Sequence, residues 1–350
     1  MGRKVQNKSS SKMKFSELAE QWLLSVSCGL KESTLAHYHY TLERYLLPVF
    51  GGDTLTAMNE QRLEQGILQV ISAKNGRHKP LGASSSRECL TMLRRICKYA
   101  AHLHLMRTVE VFVKLPQMES NQTKPFSAQE QIALRDFVLA APTPRKVGLL
   151  LQMQLGLRIG EVCGLQWGDF DFKAGILTVR RTVSRIYCGV GCTKIVVQTP
   201  KTKSSGREIP IPHDLVLLLR KLRGSASPDA WFLSGTTERS VEPRCYRKSI
   251  QSYLRRAGVR RVHPHALRHT FATTCLQNGC DIKTLSEILG HADANVTLKR
   301  YVHSDMKRKR TEMQRIFSAV WKKGPAKLHT PALPVPPFSR WRIPPWCGRG

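Results

Sequence analysis

A chain of 350 residues that is 41% hydrophobic can bury one large core or two moderate ones. Its 56 Lys and Arg against 25 Asp and Glu, a formal +31, point to a polyanionic partner; at this level a ribosome-associated or simply basic soluble protein stays open beside a nucleic-acid-binding one. No apolar run is long enough to span a bilayer, and the polar, charged start lacks the apolar core of a signal peptide, so a cytoplasmic, nucleoid-associated protein is expected.

Residues 1–14 carry Arg3, Lys4, Lys8, Lys12 and Lys14 with no acid, and read as a flexible basic arm. From Phe15 the pattern turns helical, with Phe15, Leu18, Trp22 and Leu23 on one face. Ser33 is the expected N-cap of a second helix that reaches Leu47 and is stopped by Pro48 and Gly51-Gly52. Helical stretches over 59–73 and 83–105 follow, separated by a turn at 74–80, so residues 15–113 read as a small all-helical domain. Residues 114–126, polar and holding Pro116 and Pro125, read as a linker. Ser127-Ala-Gln-Glu130 is a capping box that opens a second domain, 127–319.

Helices dominate that domain, except where Ile176–Val183, Lys194–Gln198 and Glu208–Ile211 are β-rich. Residues 201–207 are the expected turn between the last two strands, which puts Lys201 at a hairpin tip. Cys188 and Cys192, like Cys275 and Cys280, have no matching second pair of ligands, so reduced thiols rather than zinc are expected. A single helix over 264–278 sets His265 and Arg268 on one face. Residues 320–350 form a Pro-rich tail without periodicity, expected to be disordered. The fold class is therefore mainly α with a small β-sheet, α+β.

Several polar residues stand out by their settings. Arg158 lies in Gly156-Leu-Arg-Ile-Gly-Glu161 and Lys201 in Pro200-Lys-Thr-Lys203. His265 and Arg268 lie in His263-Pro-His-Ala-Leu-Arg-His-Thr270, His291 in Leu289-Gly-His291, and Tyr301 in Thr297-Leu-Lys-Arg-Tyr-Val-His303. Planar forked arginines suit the two non-bridging oxygens of a phosphodiester, where lysine would supply only a point charge. Tyrosine, with a reference pKa of about 10, needs nearby cations to act as a nucleophile. In this order the strings resemble the tyrosine site-specific recombinases, the family of phage-type integrases and chromosome-dimer resolvases, over roughly residues 15 to 318.

The resemblance implies a helical core-binding domain and a catalytic domain that form a C-shaped clamp on the duplex. It implies a DNA recombinase or integrase that cuts and rejoins strands through a 3′-phosphotyrosine, integrating or excising a mobile element. Tyr301 would be the nucleophile, with Arg158, Arg268, His265 and His291 around the phosphate. Lys201, with Lys203 as its competitor, would be the general acid, and Glu161 would orient the catalytic groups. No cofactor and no metal are expected, because these cations take the metal's electrostatic role. The implied partners are double-stranded DNA with specific attachment sites, a homo-tetramer on synapsed DNA, and accessory directionality or DNA-bending proteins. An Xer-like resolvase, a type IB topoisomerase and a non-catalytic DNA-binding regulator are the alternatives; the last would use Leu285–Val302 as a helix-turn-helix.

Overall fold

A computed structural model describes residues 12–73, 80–116, 124–199 and 206–291, together with positions 293, 295, 297, 310 and 313. The chain divides into two compact units, Met1–Tyr301 and Val302–Gly350, and only Arg310 and Met313 of the second are described. Lys201, Lys203 and Tyr301, the N-terminal arm up to residue 11 and the Pro-rich tail lie outside the described residues.

The first unit holds two hydrophobic cores, one fed by residues 15–111 and the other by residues 126–267. In the first, α1 (Phe15–Ser27) buries Phe15, Leu18, Ala19, Trp22 and Leu23, a single stripe at helical spacing. Helix α4 (Glu60–Ser72) starts where the Asn59 side chain accepts the Arg62 N–H at 2.9 Å, and α5 (Ala83–His102) lays Cys89, Leu93, Ile96 and Ala100 against the same core.

One helix departs from the sequence expectation. Helix α2 (Glu32–Thr41) starts at Lys31 rather than Ser33, passes through a π-turn at Leu42–Leu46 and continues as α3 (Leu47–Phe50), beyond Pro48. The Leu47 N–H donates five residues back to Leu42 O, and this wider turn leaves Pro48 in the opening turn of α3, where its missing N–H costs no bond.

In the second core, α6 (Ala128–Ala140) opens on the expected capping box: Glu130 N–H donates to Ser127 Oγ and Ser127 N–H to the Glu130 carboxylate. Helices α7 (Pro144–Gln154), α9 (His213–Arg223), α10 (Pro243–Arg256) and α11 (His265–Gln277) pack with it around a cluster of Trp167, Phe170 and Phe232. Thr270 is fully buried; its Oγ1 donates to Ala266 O and accepts the Phe126 N–H, tying α11 to the segment before α6.

The β-structure differs from the sequence reading. The run 176–183 is two strands, β2 (Ile176–Val179) and β3 (Thr182–Gly189), which belong to different sheets. Between them Arg181 turns both terminal nitrogens onto the Asp169 carboxylate, at 3.2 Å each. Strand β3 pairs with β4 (Cys192–Gln198), whereas β5 (Arg207–Pro210) pairs with β2 in a sheet of order β1-β2-β5, where β1 is Phe170–Asp171. The stretch 201–207 therefore does not join two paired strands. Cys188 and Cys192 fall in the strand ends that flank a tight turn.

The β3–β4 hairpin also reaches the first core's helices. Tyr187 donates to the Glu43 carboxylate at 2.6 Å and meets the Tyr40 ring edge-on, and Lys194 pairs with Glu32. Among the described residues no helix is long and apolar enough to cross a membrane.

Candidate active site

Four of the residues singled out in the sequence converge on the end of one short helix, α12 (Ile282–Leu289). Its N-cap is Asp281, whose carboxylate accepts the Thr284 N–H at 2.9 Å, and its last turn is closed by Gly290 in the left-handed region, φ +63°. The final carbonyls of a helix have no partner within it and form the negative end of its dipole. Here three successive carbonyls each receive an arginine: Arg207 Nε reaches Ile288 O at 2.5 Å, Arg268 Nη2 reaches Leu289 O at 2.7 Å, and Arg158 Nη2 reaches Gly290 O at 3.3 Å.

Arg158 is placed by the turn before it. Helix α7 ends at Gln154, and Gly156 at φ +68° reverses the chain into α8 (Ile159–Cys163), with Arg158 as the N-cap. A Cβ at position 156 would lie 2.5 Å from the Phe271 ring, so the turn demands glycine by both space and conformation. The Gly156 carbonyl in turn accepts from Arg268 Nη1 at 2.7 Å. Arg268, on the first turns of α11, is buried and bridges this turn to the end of α12.

Glu161 ties the arginines together. Its carboxylate accepts the Arg158 backbone N–H at 2.8 Å, Arg158 Nη1 at 2.7 Å, and both terminal nitrogens of Arg207 at 3.1 and 3.0 Å. Burial by itself pushes this carboxyl's pKa up. The hydrogen bonds and charge of Arg207, followed by the charge of Arg158, reverse that and bring it to about 2.

His291 follows Gly290 directly. Its Nε2 lies 3.0 Å from Arg268 Nη2, and its Nδ1 lies 2.8 Å from Oγ1 of the fully buried Thr297. Since a guanidinium only donates, Nε2 is the acceptor in this arrangement and the ring proton sits on Nδ1, toward Thr297. Donation from Nε2 to another oxygen requires a proton on that nitrogen.

His265, the first residue of α11, is exposed and stacks on His263 with ring centroids 5.2 Å apart. Burial, and then the charge of Arg247, lower the His263 pKa and favour its neutral ring. Arg158, Glu161, Arg268 and His291 thus form one bonded network, His265 lies one helical turn from Arg268, and Lys201 and Tyr301 lie outside the described residues.

Two members of the network were not singled out by sequence reasoning, Arg207 and Thr297. Arg207 carried a signal: it alternates with Ile209 on the inward face of β5, and a charge at an inward strand position needs a buried counter-charge. Thr297 carried none, because a threonine in a polar helical stretch has many uses. Among the described residues no three His, Cys, Asp or Glu side chains cluster as metal ligands.

Chemically, the network is a preorganised cationic site. Arg158 has about a third of its side chain exposed and two of its five N–H groups engaged as described, so it can meet an incoming anion.

The phage integrase family profile matches residues 118–308, more than half of the chain. A protein of Caldanaerobacter subterraneus named "Tyrosine recombinase XerC-like" is 34% identical over 182 residues, covering 47% of this chain and 46% of its own. The chain spans about half the length of the curated relatives it matches. In fold, the Tn1549 transposon integrase in complex with a circular intermediate DNA superposes with a TM-score of 0.67 at 19% identity, over 85% of this chain and 99% of that one. A λ integrase tetramer bound to a Holliday junction gives 0.59 at 16% identity, over 86% and 82%. The chain belongs to the phage integrase family of tyrosine recombinases.

Proposed function

We propose that this chain is a site-specific DNA recombinase that cleaves and rejoins strands through a 3′-phosphotyrosine at Tyr301, integrating or excising a mobile element. The observation that carries this reading is the run of three arginines on the last carbonyls of α12, with His291 bonded into it. Such a site matches a phosphodiester whose charge grows as a fifth oxygen bonds to phosphorus. In the reaction the Tyr301 oxygen forms a bond to phosphorus while the bond to the 5′-oxygen breaks. The tyrosine proton passes to solvent, and Lys201 supplies one to the leaving 5′-oxygen. Arg158 and Arg268 take the non-bridging oxygens, His265 and His291 add donors, and Glu161 holds Arg158 in place. The reverse attack by a 5′-hydroxyl rejoins the strand, so the step conserves bond energy.

The formal +31 supports a DNA duplex as partner, with residues 15–113 and 127–319 as the two jaws. The fold likeness to a λ integrase that is a tetramer on a Holliday junction supports a tetramer on synapsed attachment sites here. Accessory directionality or DNA-bending proteins, and a place at the nucleoid, belong to the same proposal.

Suicide substrates test it. Covalent protein–DNA adducts are expected with the wild type in excess EDTA, because arginine, lysine and histidine supply the charge stabilisation. None is expected with Tyr301→Phe, at unchanged duplex binding. Activity lost in EDTA and restored by Mg²⁺, or adducts persisting in Tyr301→Phe, would overturn it.

The general acid is tested separately. A bridging 5′-phosphorothiolate leaves as a thiolate and needs no proton, so it is expected to rescue Lys201→Ala selectively. Rescue of Lys203→Ala instead would move that role to Lys203.

A further inference from the structure

Arg207 stands where a strand residue of a small domain is ordinarily apolar. On β5 it alternates inward with Ile209, opposite Val179 of β2, and its side chain is 5% exposed. Burying a guanidinium costs several kcal/mol, at the order of magnitude, and an ion pair rarely returns more stability than an apolar pair of the same shape. The position therefore calls for a reason other than stability.

The bonding supplies one. Arg207 presents its terminal nitrogens to both oxygens of Glu161, at 3.1 and 3.0 Å, and its Nε to Ile288 O at 2.5 Å. A carboxylate has two oxygens with about four acceptor positions in all. Arg207 takes one on each oxygen, and the Arg158 backbone N–H takes another on Oε2. Only one place on Oε1 then remains for the Arg158 side chain, which Nη1 occupies, leaving Nη2 to turn to Gly290 O. Without Arg207, Arg158 is able to lay its whole fork on Glu161 in the bidentate geometry that guanidinium and carboxylate prefer. An arginine held that way presents fewer donors to a phosphate.

We infer that Arg207 is a positioning residue: by filling the second face of Glu161 and gripping the end of α12, it keeps Arg158 from collapsing onto the carboxylate and holds it ready for the scissile phosphate. The inference rests on the proposed recombinase reading.

The test compares two substrates in single-turnover cleavage by the full chain. One carries the natural scissile phosphate and the other a methylphosphonate, which is neutral and has one non-bridging oxygen fewer for an arginine to hold. Arg207→Met is expected to slow the natural substrate by about 10²-fold, the scale for a lost preorganised donor. On the methylphosphonate it should stay within a few fold of the wild type, the same selective rescue expected of Arg158→Ala. Arg207→Lys, which keeps the charge but not the fork, should show the same selectivity with a smaller loss.

Equal slowing on both substrates would make Arg207 a merely structural residue and overturn the inference, as would wild-type rates on the natural phosphate. Failure of both variants to fold would do the same, by making Arg207 a determinant of the fold. Absence of any Tyr301 adduct in the wild type would instead sink the recombinase reading itself, so the two failures are told apart.

Discussion

Replacing Arg268 by lysine is expected to lower the rate of strand cleavage by about 10²–10³-fold, the scale for losing a preorganised donor at a developing charge. The charge is kept, so duplex binding should change little. What is lost is reach: one guanidinium spans the Gly156 carbonyl on the turn after α7 and, at the end of α12, both the Leu289 carbonyl and His291. A single ammonium cannot bridge them. Arg158→Lys should cost a similar factor in rate, yet the two variants should part in stability. Arg268 is 5% exposed, and its loss leaves buried carbonyls short of a donor, worth about 1–3 kcal/mol. The Arg158 side chain is 34% exposed, so water can replace what it gives up. Single-turnover cleavage with thermal unfolding of the same preparations checks both statements. Equal stability in the two variants would contradict the burial argument.

Glu161→Gln carries the second large effect. It keeps the shape of the side chain but leaves Arg207 and Arg158 without their counter-charge, and breaking a buried ion pair from one side costs about 3–5 kcal/mol. The effect is pH-dependent, with a definite sign. The Glu161 pKa is held at about 2, below the ordinary carboxylate value of 4.5, so between those values the unfolded chain binds the extra proton. Its contribution is therefore complete above about pH 5 and fades as pH falls toward 2. Thermal unfolding of the wild type and Glu161→Gln should differ most at neutral pH and converge in acid. A gap that stays constant down to pH 2 would mean the carboxylate is not held by its arginines.

The helices were legible because their apolar spacing is local. The stripe from Phe15 to Leu23 and the capping box at Ser127 need only a dozen neighbouring residues to be read. The strands were less so. Residues 176–183 look like one alternating run, and only the strand pairings, β2 with β5 and β3 with β4, show that the chain changes sheet there. The pairing of β5 with β2 rather than β4 is likewise a non-local choice that periodicity does not record. Pro48 stops a regular helix but not one that has already widened into a π-turn, and nothing in Leu42–Leu46 announces that turn. At the site, residues in short distinctive strings were found by their neighbours, as with Arg158 and Glu161 or Leu289-Gly-His291. Arg207 and Thr297 act through partners 46 and 6 residues away, and their roles emerge only once the chain is folded.

The most direct measurement is the identity of the bond between protein and DNA. Adducts trapped on a suicide substrate can be digested with protease and nuclease and the linked peptide weighed and sequenced. The expected result is a peptide containing Tyr301 esterified through its phenolic oxygen to a 3′-phosphate, with the complementary fragment ending in a free 5′-hydroxyl. A peptide lacking Tyr301, or a linkage to a 5′-phosphate, would contradict the proposed chemistry.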